Sequence, residues 1–245
     1  IVAGATMNYV LALLIFGLIA LNFGFAKPVV SEVALNSPAQ KADLRVGDRL
    51  LKVDNSTINT TSDLKLGVIL AKGDAITLEI ERNGEKIIKE IVPTIDETGN
   101  SVIGITHEFV KNPTIGESIV QGFKDTITMV SQTFKSLKMM FTGEANFKTD
   151  VGGPITIVKM SSQAAKAGIW TLMEFTAFMS VQLAVFNLLP LPALDGGLIL
   201  IQILELITRK KIPEKFVGVV NSVGFALLML LMVVVTLKDI IFPVL

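Results

Sequence analysis

The chain has 245 residues, with 22 basic and 22 acidic side chains, one histidine and no cysteine, and 51% of its residues are apolar. The lack of cysteine excludes disulfide bonds and thiolate metal ligands. Balanced charge without a basic run argues against a nucleic-acid partner, and none is predicted. The apolar residues are clustered, which predicts an integral membrane protein with an inserted aqueous domain.

Three long stretches without a charged residue predict membrane spans. They are Val2–Phe25, Phe175–Leu194 and Phe216–Leu237, and each is long enough to cross a bilayer. The fold class is therefore a polytopic α-helical membrane protein with about three spans in this chain. The first residues, Ile-Val-Ala-Gly, include neither an initiator Met nor a basic segment, which predicts a fragment of a longer protein.

Residues 27–108, between the first two spans, have the mixed polarity of a small α+β domain. Short alternating strands are predicted around turns, and the Asn83-Gly84 pair predicts a hairpin. Ser37-Pro38 and Thr61 are typical helix starts. The predicted strands are Val29–Val33, Arg49–Val53, Ala75–Arg82, Glu85–Val92 and Ser101–Thr106.

Residues 109–168 are predicted to contain an amphipathic helix and a linker. From Ile115 to Phe141, apolar residues recur at spacings of three and four, which indicates a helix. This helix either lies on the membrane surface or packs on the aqueous domain, and the sequence leaves both interpretations open. The linker contains Gly153-Pro154-Ile155.

Residues 169–245 form a predicted C-terminal membrane domain with an interrupted helix. Pro190 and Pro192 remove backbone donors, and Gly196 and Gly197 permit close approach of the backbone. Asp195 lies between these pairs. A carboxylate at membrane depth is costly unless it is paired or bound to a metal, so Asp195 is a functional candidate. The alternative is an ordinary turn at the end of a span.

The residues Asn187–Gly197 resemble the N-x-x-P-x-P-x-L-D-G signature of the site-2 protease family, which are intramembrane zinc metalloproteases. Gly4–Asn8 is similar to the family's G-P-x-x-N stretch, with Ala5 in place of the proline. The segment from Ser37-Pro38-Ala39 to Gly47-Asp48 resembles a bacterial PDZ domain, and Gly153-Pro154-Ile155 resembles the family's G-P-I motif. The resemblance covers essentially the whole chain in the right order.

The resemblance implies that Asp195 is the third zinc ligand. The other two ligands, both histidines, and the catalytic glutamate would belong to an H-E-x-x-H helix before Ile1, so no catalytic residue is expected in the chain. His107-Glu108 begins like that motif, but Lys111 stands at the second histidine position, and no catalytic role is expected for His107. The residues implied in substrate positioning are Asn187, Asn8, Pro190, Pro192, Gly196 and Gly197. For Asn187 and Asn8, an interhelical hydrogen bond is the alternative.

The function implied is zinc-dependent hydrolysis of transmembrane segments, with Zn2+ as cofactor of the full-length protein. Substrates would be transmembrane proteins such as anti-sigma factors or signal-peptide remnants. The PDZ-like domain would bind substrate termini or act as a size filter. The basic cluster from Arg209 to Lys215 predicts a cytoplasmic loop, with the PDZ-like domain outside the bacterial plasma membrane.

Two other functions remain open from the sequence. One is a non-catalytic membrane adaptor, or pseudoprotease, that displays a PDZ domain. The other is a transporter with broken helices, which would predict a second interrupted span in an inverted repeat. Only one predicted span is interrupted here, which favours the protease.

Overall fold

A computed structural model describes residues 2–96, 99–144, 146–147 and 151–243. The chain forms two compact units: Phe16–Thr128 in one, and the residues up to Ile15 together with those from Met129 onward in the other. Two helices, α1 (Val2–Phe23) and α4 (Ile115–Thr142), contribute residues to both units. The division between the units therefore falls inside helices rather than in a loop.

The unit Phe16–Thr128 contains the predicted α+β domain. Its main sheet is antiparallel in the order β5–β4–β2–β1–β8, with β3 paired to β2, while β6 and β7 form a separate pair. The strands are β1 (Phe25–Val33), β2 (Arg49–Val53), β3 (Ser56–Thr57), β4 (Ile76–Arg82), β5 (Glu85–Ile91), β6 (Thr94–Ile95), β7 (Ser101–Val102) and β8 (Ile105–Val110), and the short helices are α2 (Pro38–Lys41) and α3 (Thr61–Leu70).

The core of this domain follows from the alternation of its strands. In β4, Ile76, Leu78 and Ile80 are buried, whereas Thr77 is exposed. One face of α3 covers the same core through Leu64 and Val68. The predicted hairpin is confirmed, because Arg82 pairs with Glu85 across Asn83 and Gly84, and both turn residues have positive φ.

One predicted strand is divided in two. Ser101–Thr106 was expected as a single strand, but the chain turns at Gly104, which has a φ of +79°. A Cβ at Gly104 would overlap the side chain of Ser37, so the close approach of α2's first turn requires glycine there. β7 pairs with β6, and β8 pairs with β1.

Helix α4 buries polar side chains and exposes apolar ones. In the first unit, the hydroxyl of Thr128 donates to Asp63 Oδ2 at 2.8 Å, and the first turns of α4 approach Gly17 through Ser118. The helix therefore packs on protein through its polar side. Its buried polar residues are Ser118, Gln121, Thr126, Thr128 and Thr133, and its exposed apolar stripe is Ile115, Ile119, Phe123, Ile127 and Phe134.

In the other unit, the helices formed by the described residues after α4 include α5 (Pro154–Ala167), α6 (Ile169–Leu188), α7 (Asp195–Thr208) and α8 (Glu214–Ile241). Among the described residues, three helical segments are long and apolar enough to cross a membrane, and they are Ala3–Phe23, Ile169–Leu188 and Glu214–Ile241. This agrees with the membrane character predicted from the sequence. Helix α7 already begins at Asp195, directly after the interruption.

Candidate active site

The interruption between α6 and α7 is a tight, irregular loop. Helix α6 ends at Leu188, and Leu189 is extended, with φ −61° and ψ 140°. The N–H of Leu191 donates to the carbonyl oxygen of Leu189 at 2.7 Å. Ala193 adopts the left-handed conformation, with φ 70°. The chain thus turns sharply before Asp195 opens the next helix.

Two buried glycines allow this loop to lie against the first turn of α7. A Cβ on Gly196 would overlap the carbonyl oxygens of Leu188 and Leu189, and a Cβ on Gly197 would overlap that of Leu191. Gly224 of α8 makes an equally close approach to Pro192. The glycine and proline positions of the motif therefore fix the backbone path around Asp195.

Asp195 lies at the wall of a small cavity beside α8. The carboxylate belongs to the first turn of α7, where a negative charge is favoured by the helix dipole. The cavity has a volume of 420 Å3, and Asp195 is its only ionisable side chain among the described residues. Its other lining residues are Ala193, Leu194, Leu198, Asn221, Ser222 and Phe225.

Asn221 is a polar residue of this site that the sequence interpretation missed. Its Oδ1 accepts the N–H of Ala193 at 3.2 Å, so α8 holds the left-handed turn of the loop. Asn221 also lines the cavity with Asp195. An amide within an otherwise uncharged apolar stretch is the sequence signal that identifies it.

The other predicted site residues do not line this cavity. Asn187 is half-buried in the last turn of α6, and Asn8 is half-buried in α1. Neither belongs to the residues that line the cavity. Pro190 and Pro192 are exposed, and Pro192 contacts α8 at Gly224.

A second polar cluster, also missed, anchors the G-P-I segment. The carboxylate of Asp239, in the last turn of α8, accepts the N–H groups of Gly153 at 3.0 Å and Thr156 at 2.9 Å. Glycine offers no capping side chain at the start of α5, so Asp239 provides the N-cap from another helix. Lys238 pairs with Asp239 at 3.1 Å and donates to the carbonyl oxygen of Val151.

The described residues do not form a complete zinc site. In the part of the chain that the structure describes, no three His, Cys, Asp or Glu side chains are grouped to hold a metal ion. The single histidine, His107, lies in β8 and pairs with Val30. Burial lowers the pKa of His107, although a hydrogen bond with the backbone of Val29 opposes the shift. Asp195 fits zinc as one ligand only.

The chain matches the model of Peptidase family M50 over residues 1–231, and it therefore belongs to that family, the site-2 proteases. It is 55% identical over 243 residues to a protein named as a zinc metalloprotease in Clostridium perfringens, covering 99% of this chain and 72% of that protein. It is 33% identical over 245 residues to zinc metalloprotease RasP of Geobacillus kaustophilus, covering 98% of this chain and 58% of that protein.

Among solved structures, the chain is similar to the PDZ domain of an SdrC-like protein from Listeria monocytogenes. The two are 22% identical, with a TM-score of 0.31. The match covers 34% of this chain and 88% of the Listeria domain.

Proposed function

We propose that this protein is an intramembrane zinc metalloprotease that cleaves transmembrane segments, with Asp195 as one of its zinc ligands. The observation that carries the proposal is the position of Asp195. A carboxylate opens a helix at a break between apolar segments and lies at the wall of a cavity. Irregular backbone and a carboxylate at membrane depth are costly and are retained where they line a functional cavity.

The remaining zinc ligands and the general base are proposed to lie outside these 245 residues, since the chain has one histidine and no cysteine. A catalytic zinc ion has three protein ligands and an open position. When bound, it activates a water molecule and polarises the scissile carbonyl. The loop of this chain holds Asp195 at a fixed position through its two glycines and through Asn221.

Substrate positioning is proposed for residues at the break and for one residue of α1. They are Asn187, Pro190, Pro192, Gly196, Gly197 and Asn221 at or beside the break, and Asn8 in α1. A transmembrane helix must unwind before it is cut, and its freed backbone groups then need partners. Side-chain amides beside the carboxylate provide such partners.

The aqueous domain is proposed to be PDZ-like and to bind a terminus of the substrate. A cavity of 570 Å3 lies between α3 and the β7–β8 segment, with Leu64 and Val68 on one side and Ile103 and Ile105 on the other. β8 is the last strand in the sheet order, so an extended peptide can add to it. Termini of transmembrane proteins, such as anti-sigma factors or signal-peptide remnants, are the proposed ligands.

The proposed placement is a multi-pass protein of the bacterial plasma membrane. Its parts are a span (1–26), the PDZ-like domain (27–108), an interfacial helix with its linker (109–168) and a C-terminal membrane domain (169–245). The basic residues from Arg209 to Lys215 support a cytoplasmic position of their loop, with the PDZ-like domain proposed on the other side. The exposed apolar stripe of α4 supports its contact with lipid.

The test replaces Asp195 by Asn in the full-length protein and measures bound zinc and cleavage of a transmembrane reporter. Glu174→Gln is the matched control, because Glu174 is an exposed carboxylate of α6. We expect Asp195→Asn to lower zinc content and to reduce cleavage by at least about 100-fold, the scale of losing one stabilising group in an active site. The control is expected to retain both.

Retention of zinc and cleavage in the Asp195→Asn protein would show that Asp195 is not a ligand. If the unaltered full-length protein neither binds zinc nor cleaves the reporter, the non-catalytic PDZ adaptor becomes the better account.

A further inference from the structure

A second cavity of the Phe16–Thr128 unit is separate from the proposed PDZ-like groove. It has a volume of 840 Å3 and lies between the β1–β2–β3 side of the sheet and the first turns of α4. Its apolar wall includes Phe25, Pro28, Leu51, Ile58 and Val120. Basic side chains surround this wall, namely Lys27, Arg49, Lys52, Lys86 and Lys124.

This cavity lies next to the end of the first membrane helix. Helix α1 ends at Phe23, and the cavity wall begins at Phe25. On the opposite wall, α4 contacts α1 where Ser118 approaches Gly17, six residues before the end of α1. With a rise of about 1.5 Å per residue, that contact lies about 9 Å inside the end of the span. With α1 as a membrane span, as proposed above, the cavity would lie near the lipid headgroups.

The cations of the cavity exceed the carboxylates that neutralise them. Lys52 and Lys86 share one carboxylate, Glu79, at 2.9 and 3.2 Å. Lys124 is half-buried and makes no ion pair with any residue that the structure describes. Two positive charges at this wall are thus left without a carboxylate of their own.

Among the lining residues, five basic side chains face two carboxylates, Glu79 and Glu117. Arg49 is 3.8 Å from Glu81, and Lys27 is 3.2 Å from Glu108; both are solvent-exposed pairs, which bind weakly. The lining carboxylate Glu117 accepts the N–H of Thr114 at 2.8 Å and its hydroxyl at 2.9 Å, and its negative charge offsets one of the five cations. These hydrogen bonds lower the pKa of Glu117.

We propose that this cavity binds an anionic phospholipid. The basic side chains would contact the phosphate, and the apolar wall would contact the upper part of an acyl chain. A water-soluble anion would need the cations but not the apolar wall, and a neutral lipid would need the wall but not the cations. The position beside the end of α1 provides both parts of the ligand from the bilayer.

The test measures lipid retained by the full-length protein in neutral detergent, by native mass spectrometry, with phosphatidylglycerol and phosphatidylcholine as probes. Two matched pairs of variants isolate the site. Lys124→Gln is compared with Lys138→Gln, an exposed lysine further along α4. Val120→Trp, at a residue that lines the cavity, is compared with Ile119→Trp, whose side chain is similarly exposed but does not line it.

We expect phosphatidylglycerol to be retained in preference to phosphatidylcholine. Lys124→Gln is expected to weaken that retention by about fivefold, the effect of one basic residue at an anionic lipid surface. Val120→Trp is expected to remove it, and both controls are expected to retain it. Circular dichroism verifies that all four variants are folded.

Equal retention of the two lipids, or equal retention by Val120→Trp and Ile119→Trp, would overturn the proposal. Displacement of phosphatidylglycerol by millimolar inorganic phosphate would assign the site to a free anion instead, and displacement by an acidic peptide would assign it to a protein ligand. The measurement uses neither substrate nor zinc, so its outcome is independent of the protease proposal.

Discussion

At the scale of single residues, the geometry of the site depends on its glycines as much as on its functional side chains. Gly196 contacts the backbone of the preceding loop so closely that a single methyl group would overlap two carbonyl oxygens. Backbone atoms cannot rotate away as the end of a flexible side chain can. The position of Asp195 is therefore determined by its glycine neighbours as well as by its own helix.

Gly196→Ala is expected to destabilise the protein by about 1–3 kcal/mol, the usual cost of overpacking, and to lower its thermal midpoint in detergent. Gly218→Ala is the matched control, because a Cβ at Gly218 meets no atom within 4 Å. In the middle of a helix, that substitution is expected to leave stability unchanged or to raise it by up to about 1 kcal/mol. Equal midpoints for the two variants would contradict the close approach described at Gly196.

At the scale of elements, an ionic cluster ties the turn after α2 to the end of β4. Arg82 donates from Nε to Asp48 Oδ1 at 2.7 Å and from Nη2 to Oδ2 at 2.8 Å, and Asp48 is fully buried. Burial raises the pKa of Asp48, but the hydrogen bonds from Arg82 and from the N–H of Arg45 outweigh it, and the net shift is downward. The exposed carboxylate of Asp43 also has a lowered pKa, through hydrogen bonds from Arg45, Lys89 and Arg82.

A carboxylate whose pKa is lower in the folded state stabilises the fold above its ordinary pKa, and that stability is lost as the pH falls. The thermal midpoint of the full-length protein is therefore expected to decrease as the pH is lowered from about 5 to about 3. This range lies around and below the ordinary pKa of 3.8 for aspartate. Asp48→Asn is expected to cost about 3 kcal/mol near neutral pH, since it leaves Arg82 without its buried partner.

The same substitution is expected to flatten the dependence of the midpoint on pH. Asp74→Asn, at an exposed turn residue, is the control and should keep the unaltered profile. An Asp48→Asn protein with an unchanged profile would show that other carboxylates dominate acid unfolding.

At the scale of the whole molecule, the polarity of α4 supports the proposed contact of this helix with the membrane. An amphipathic helix of a soluble protein buries its apolar side. Here Thr126 and Thr128 are buried, while Phe123 and Ile127 are exposed. This arrangement is stable where the medium outside the protein is apolar, as it is at a bilayer.

The proposed membrane contact of α4 is tested with Phe123→Trp. The variant is made in a Trp170→Phe background, which removes the native tryptophan. In liposomes containing brominated lipid, we expect strong quenching of the emission from the introduced tryptophan. Ile88→Trp in the same background is the control, because Ile88 is an exposed residue of β5 in the aqueous domain, and it should be quenched little. Similar quenching of the tryptophans at positions 123 and 88 would contradict the proposed membrane contact of α4.

The sequence determined the elements and the class of protein. Charge-free stretches indicated the membrane character, alternation identified β4 and β5, and Asn83-Gly84 identified their turn, because each of these signals is local. The order of motifs from Gly4 to Gly197 identified the family for the same reason. The interpretation of α4 remained open, since a periodic pattern shows two faces but not the medium that each face contacts.

Only the tertiary structure decided which residues meet. Asn221 shares a cavity with Asp195, and Asp239 caps α5 at Gly153, although each pair is far apart in sequence. The division of the predicted strand at Gly104 likewise depends on the approach of Ser37. Such contacts arise from the packing of elements against one another, and no spacing within one element encodes them.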